Sequence, residues 1–122
     1  MITSLQPNEV FVFGSNLSGR HGKGAAKTAM RWGAKYGVGS GPMGQTYAIP
    51  TKAVSVYQTL PLERIHIYVL EFLQYAKSHP GLSFLVTEIG CGLAGYKPKD
   101  IAPMFKGFSD NVILPERFKR YV

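Results

Sequence analysis

Residues 9–24 read EVFVFGSNLSGRHGKG, a β-branched and aromatic run followed by a glycine-rich loop. Val10, Phe11, Val12 and Phe13 are apolar at successive positions, so a strand over 9–14 would be buried on both faces. That pattern suits a strand with parallel neighbours, covered on each side, rather than an exposed hairpin. The loop 15–24 leads into AAKTAMRWGAKY (25–36), which predicts a helix with Ala25, Ala29, Trp32 and Tyr36 on one face. Gly33 is a weak point in it.

The same order returns later in the chain. SFLVTEI (83–89) is a second buried-type strand, GCGLAGY (90–96) a second glycine-rich loop, and a short helix is predicted from Lys97 to Phe108. Between the two units, GVGSGPMG (37–44) is dense in turn formers and predicts irregular structure. QTYAIP (45–50) is a short strand ended by proline. PLERIHIYVLEFLQYAKSH (61–79) is the strongest helix, with Leu62, Ile65, Val69, Phe72 and Ala76 at helical spacing and Pro80-Gly81 as its stop. NVIL (111–114) is a last strand before the polar tail PERFKRYV. Alternating strands and helices predict one α/β domain over 1–122, three-layered, with a mixed, largely parallel sheet and two glycine-rich strand-to-helix loops. Ligands of open α/β sheets sit beyond the carboxyl ends of the strands, so two such loops at one sheet edge would make one cleft.

Composition agrees with an anionic ligand. The 122 residues carry 14 Lys+Arg against 7 Asp+Glu, a net charge of +7, and 14 glycines. The imbalance has a location. Between Glu9 and Glu63 no acid occurs, while Arg20, Lys23, Lys27, Arg31, Lys35 and Lys52 all fall there. Apolar residues at 45 % and sparse charge exclude disorder, and no apolar run reaches the length of a membrane span. The start MITSLQPNEV lacks the features of an export signal and Cys91 is the only cysteine, so a reducing cytoplasmic setting is expected, without a disulfide, a metal site or a cofactor.

The loops supply the candidate site. Gly14, Gly22, Gly24, Gly90, Gly92 and Gly95 let backbone approach a ligand without an intervening Cβ, and two amide-rich loops suit a diphosphate better than one phosphate. Either loop alone is equally a tight connection. Neither matches a P-loop or a GxGxxG dinucleotide fingerprint. Lys23 adds charge to the first loop, and Leu93 and Ala94 extend the second. Asn16 is placed to contact a ribose, or to form a turn with positive φ. His21 is a candidate acid–base group or a solvated loop histidine. Cys91, between two glycines near a possible helix start that could lower its pKa, is a ligand-binding candidate of the second loop or a small packing residue. Glu88, at the end of a buried strand, needs a partner: a basic loop residue, or the chemistry of the site. Tyr96 stacks on a ligand or anchors its loop. Trp32 and the Phe72 stripe belong to the core.

At these residues the chain resembles a small macrodomain, the ADP-ribose-binding fold. VFGSN is similar to the family's strand that ends in an asparagine contacting the distal ribose. GRHGKGAA looks like its first glycine-rich loop, QTYAIPTK like its central strand, and VTEIGCGLAGYKPKDIAPMF like its strand, diphosphate loop and helix. IGCGL is closest in motif to the terminal ADP-ribose glycohydrolase branch, and the likeness spans about residues 10–110. The chain lacks the family's Gly-Asp-Ile segment, whose aspartate reads adenine. Where that branch has an acid after GCGL stands Ala94, and Met30 and Arg31 fall in the register of its catalytic lysine. The resemblance therefore implies a truncated macro-like domain that binds ADP-ribose or a related nucleotide diphosphate between loops 14–24 and 90–96. Gly22, Gly24, Gly92 and Leu93 would hold phosphates and Tyr96 would close the cleft. Hydrolysis of an ADP-ribosyl linkage, by a water positioned by His21 or Glu88, is the reaction the resemblance implies for an enzyme. The basic stretch supports a second expectation, a non-catalytic module for nucleic acid or a nucleotide signal. A structural protein with a vestigial cleft is a third.

Overall fold

The computed structural model describes residues 2–122 and places β1 (Glu9–Asn16) at the centre of a five-stranded sheet. The order across the sheet is β2 (Gly41–Met43), β3 (Thr46–Lys52), β1, β4 (Ser83–Val86), β5 (Val112–Ile113). β1 runs parallel to β3 and β4, and β4 parallel to β5, while β2 is antiparallel to β3. The sheet is mixed and largely parallel, as expected.

The period of two along β1 sorts its side chains between two cores. Phe11 and Phe13 pack on one face with Ala26, Ala29, Ala34, Met43 and Ala48. That thin layer is α1 (Gly24–Ala29) and the 3₁₀ turn Met30–Trp32; its alanines let the chain lie close over the two phenylalanines. Val10 and Val12 face the larger core, with Tyr47 and Ile49 of β3 and Phe84 and Val86 of β4. α2 (Leu62–Lys77), α3 (Pro98–Ile101), the 3₁₀ turn Ala102–Phe105 and α4 (Glu116–Lys119) cover it. α2 follows its apolar spacing, burying Ile65, Val69, Phe72, Leu73 and Ala76. Phe72 meets Phe84 edge-on at 5.5 Å and Tyr47 at 5.0 Å.

Four expectations need correction. The helix over 25–36 stops at Ala29, tightens to a 3₁₀ turn and ends at Gly33, whose φ of +112° caps it. The turn-rich stretch 37–44 contains a strand, β2, joined to β3 by a tight hairpin at Gly44. Pro42 is tolerated there because β2 is an edge strand and needs only one row of partners. The helix over 97–108 is α3 followed by the separate turn Ala102–Phe105, with Pro103 at the junction. The polar tail is not a tail: α4 inserts Phe118, wholly buried, against Phe105 at 5.9 Å. No helix among the described residues is long and apolar enough to cross a membrane.

Candidate functional site

β1, β3 and β4 end on one side of the sheet, and the segments that leave them enclose a cleft of about 750 Å³. Gly14–Asn16, Arg20 and Gly22–Ala26 form one wall and Thr87–Ala94 another. The two glycine-rich loops thus face each other, since they leave the adjacent parallel strands β1 and β4.

The first loop is held by its own polar groups. The Asn16 side chain accepts hydrogen bonds at Oδ1 from the Ser18 hydroxyl and the Arg20 N–H, both at 2.8 Å, and donates from Nδ2 to the Arg20 carbonyl at 2.8 Å. Ser15 Oγ donates to the Gly39 carbonyl, and Gly37 N–H to the Gly19 carbonyl at 2.9 Å. The loop lies backbone against backbone on 37–39: a Cβ on Gly39 would stand 1.9 Å from the Asn16 carbonyl oxygen. Asn16 is not in a positive-φ turn; every positive-φ residue described is a glycine.

His21 does not line the cleft. It is 1 % exposed, with Nε2 2.9 Å from the Lys35 carbonyl and 3.0 Å from that of Val38. Carbonyls only accept, so Nε2 carries the proton. Nδ1 is buried without a partner, and the ring stands edge-on to Phe13 at 5.5 Å. His21 is therefore not a solvated loop histidine: the buried imidazole pins the loop to 35–38 and lies outside the cleft lining.

The second loop is a series of tight turns, with Cys91 N–H on the Glu88 carbonyl, Gly95 N–H on Gly92 and Tyr96 N–H on Gly90. Gly90, at φ +76°, packs so closely that a Cβ would meet Ile101 Cδ1 at 2.9 Å. Tyr96 turns away from the cleft; its hydroxyl donates to the Leu60 carbonyl at 2.7 Å and its ring packs on the main core. It anchors the loop rather than closing the cleft, and Gly95 also lies outside the lining. Glu88 does line the cleft, and its partner is Arg117 of α4, Nε to Oε2 3.2 Å, rather than a loop cation. Burial pushes the Cys91 thiol up to about 11, and the neighbouring Glu88 carboxylate adds to the shift. The shift runs opposite to the lowering expected beside a helix start, and a thiol so raised is protonated near neutrality.

A third wall comes from the segment after β3: Thr51, Lys52, Val56 and Tyr57. Lys52 Nζ donates to the Val56 carbonyl at 2.9 Å, and Thr59 Oγ1 donates to the Ala94 carbonyl at 3.0 Å, tying this segment to the second glycine loop. Tyr36 lines the cleft as well. Sequence reasoning missed this wall; its one signal was SVYQT, an aromatic in a polar connection with no periodic place in a core. Arg20, Lys23 and Lys52 line the cleft against one carboxylate, Glu88. Among the described residues no three His, Cys, Asp or Glu side chains gather as a metal site.

The fold and site therefore define an α/β domain with a cationic cleft walled by two glycine-rich loops and a third connection. No protein-family model, curated protein or solved structure matches the chain significantly.

Proposed function

We propose that the chain is a macro-like domain that binds ADP-ribose, or a related nucleotide diphosphate, in this cleft. The observation that carries the reading is what the glycines do for the fold. Gly19, Gly24, Gly90 and Gly95 have positive φ, and Gly39 has no room for a Cβ. Gly22 and Gly92 have neither excuse: their φ lies outside the left-handed region, and a Cβ added to either would meet nothing within 4 Å. Both line the cleft from opposite loops. Gly81, in the turn after α2, shares that freedom outside the cleft. At 22 and 92 close approach of backbone amides to a ligand accounts for the bare backbone. The volume falls within the range of small-molecule sites, and three cations facing one paired carboxylate suit a diphosphate.

The test is calorimetry with ADP-ribose on Gly22→Ala and Gly92→Ala. Both variants keep their unfolding free energy within about 1 kcal/mol, since each site accepts a Cβ. Both lose affinity about tenfold or more, because the methyl group stands where phosphate oxygens would approach. Unchanged affinity in both variants rejects the cleft. Binding is the activity proposed. For hydrolysis of an ADP-ribosyl linkage the cleft offers Glu88 as its sole carboxylate, already engaged by Arg117. A reducing cytoplasm and an ADP-ribosylated partner belong to the same proposal. One observation favours a second reading, a nucleic-acid module: Lys27, Arg31 and Lys35 are exposed outside the cleft lining.

A further inference from the structure

The connection between β3 and α2, residues 53–60, has the sequence AVSVYQTL. It is a built projection rather than a slack loop. Lys52 and Thr59 bridge at its base, Ala53 N–H donates to the Gln58 carbonyl at 2.8 Å, and Leu60 N–H donates to the Thr51 carbonyl at 2.9 Å. Gln58 N–H closes a turn onto Ser55 at 3.1 Å. Its flank is fixed to the second glycine loop by the Thr59–Ala94 bond. This scaffold holds Tyr57 at the cleft mouth with 91 % of its surface exposed, more than any other large apolar or aromatic side chain among the described residues. Leu93, 69 % exposed, lines the same cleft on the loop to which the projection is tied.

An ordered turn that presents a tyrosine to water leaves a large flat apolar surface without a partner. Arg20, Lys23 and Lys52 line the same cleft among glycine-rich backbone. A ligand matching both parts has a planar aromatic end and an anionic end. We infer that Tyr57 is the stacking platform for the base of the bound nucleotide, so that the site takes nucleoside diphosphates in preference to bare pyrophosphate or sugar phosphates. The inference rests on the cleft being an anion site, as proposed above. Stacking would hold any base, because every base has a π-face.

Calorimetry at fixed salt with two probes, ADP and inorganic pyrophosphate, tests it on the wild type, Tyr57→Ala and Tyr57→Phe. The ring is in solvent, so both variants fold. Wild type binds ADP more tightly than pyrophosphate. Tyr57→Ala loses about 5- to 150-fold for ADP and keeps its pyrophosphate affinity, while Tyr57→Phe stays within about twofold for both. Undiminished ADP binding by Tyr57→Ala overturns the stacking role and leaves the cleft reading standing. Equal losses for both probes also overturn it, since Tyr57 would then be shaping the loop. A wild type that binds neither probe overturns the cleft and the stacking role together.

Discussion

The Asn16 amide is committed to its own loop. Oδ1 takes two hydrogen bonds and Nδ2 gives one of its hydrogens to the Arg20 carbonyl, which leaves a single N–H for a ligand. An asparagine at the end of the central strand was legible in the sequence; its engagement was not, because its partners lie two and four residues on, in a stretch without periodicity. Cys91 gives a residue-scale prediction with a defined sign. Its thiol is raised from 9.0 to about 11 by burial and then by Glu88. The native state therefore holds this proton more tightly than the unfolded state does. The associated stability is fully present below pH 9 and is lost as pH rises through 11. At pH 8 the native thiolate fraction is about a hundredth that of an unperturbed thiol. Alkylation of Cys91 by iodoacetamide at pH 8 then runs about 100-fold slower in the folded protein than after denaturation. Comparable rates in the two states would show that the thiol is open and ionisable, contrary to its packing beside Ile89 and the main core.

At the scale of elements, what could be read was what recurs. Two buried strands each ended by a glycine-rich loop predicted a common cleft, and β1 and β4 are adjacent and parallel, so the loops do meet. The elements that escaped are those whose cause is tertiary. β2 exists because Gly44 turns the chain back onto β3, and its own three residues, Gly-Pro-Met, carry no strand preference. α4 is only four residues long, too short to form on propensity, and depends on Phe118 in the core for its place. That dependence is testable. Phe118 is 0 % exposed and packs on Phe105, so Phe118→Ala costs about 3–5 kcal/mol by urea unfolding at unchanged m-value. Because α4 also carries Arg117, the same substitution loosens the partner that holds Glu88 at the cleft edge. A loss below about 1 kcal/mol would mean that the C-terminal turn is not part of the cooperative fold. The projection at 53–60 escaped for a similar reason: it is ordered by bonds to β3 and to Ala94, not by any pattern of its own.

For the whole molecule, the acid-free interval divides into two populations once folded. Arg20, Lys23 and Lys52 line the cleft, whereas Lys27, Arg31 and Lys35 sit on the outer surface. Both ion pairs among the described residues involve α4, so no carboxylate neutralises either population by direct contact. Net charge alone cannot tell a cleft for one diphosphate from a surface for a polyanion, but the response to salt can. A single-stranded RNA held through all six cations would release about four counterions, and raising salt from about 50 to 200 mM would weaken it about 300-fold. ADP-ribose brings two charges to a cleft with amide contacts that salt does not screen in this way, and the same change weakens it about tenfold or less. Titrating ADP-ribose and a short single-stranded RNA side by side at both salt concentrations separates the two. A steep loss for the RNA beside a shallow one for ADP-ribose assigns the outer cations to nonspecific attraction and the cleft to the nucleotide. If RNA binds more tightly than ADP-ribose at about 200 mM salt, the outer surface is the functional one and the cleft reading fails.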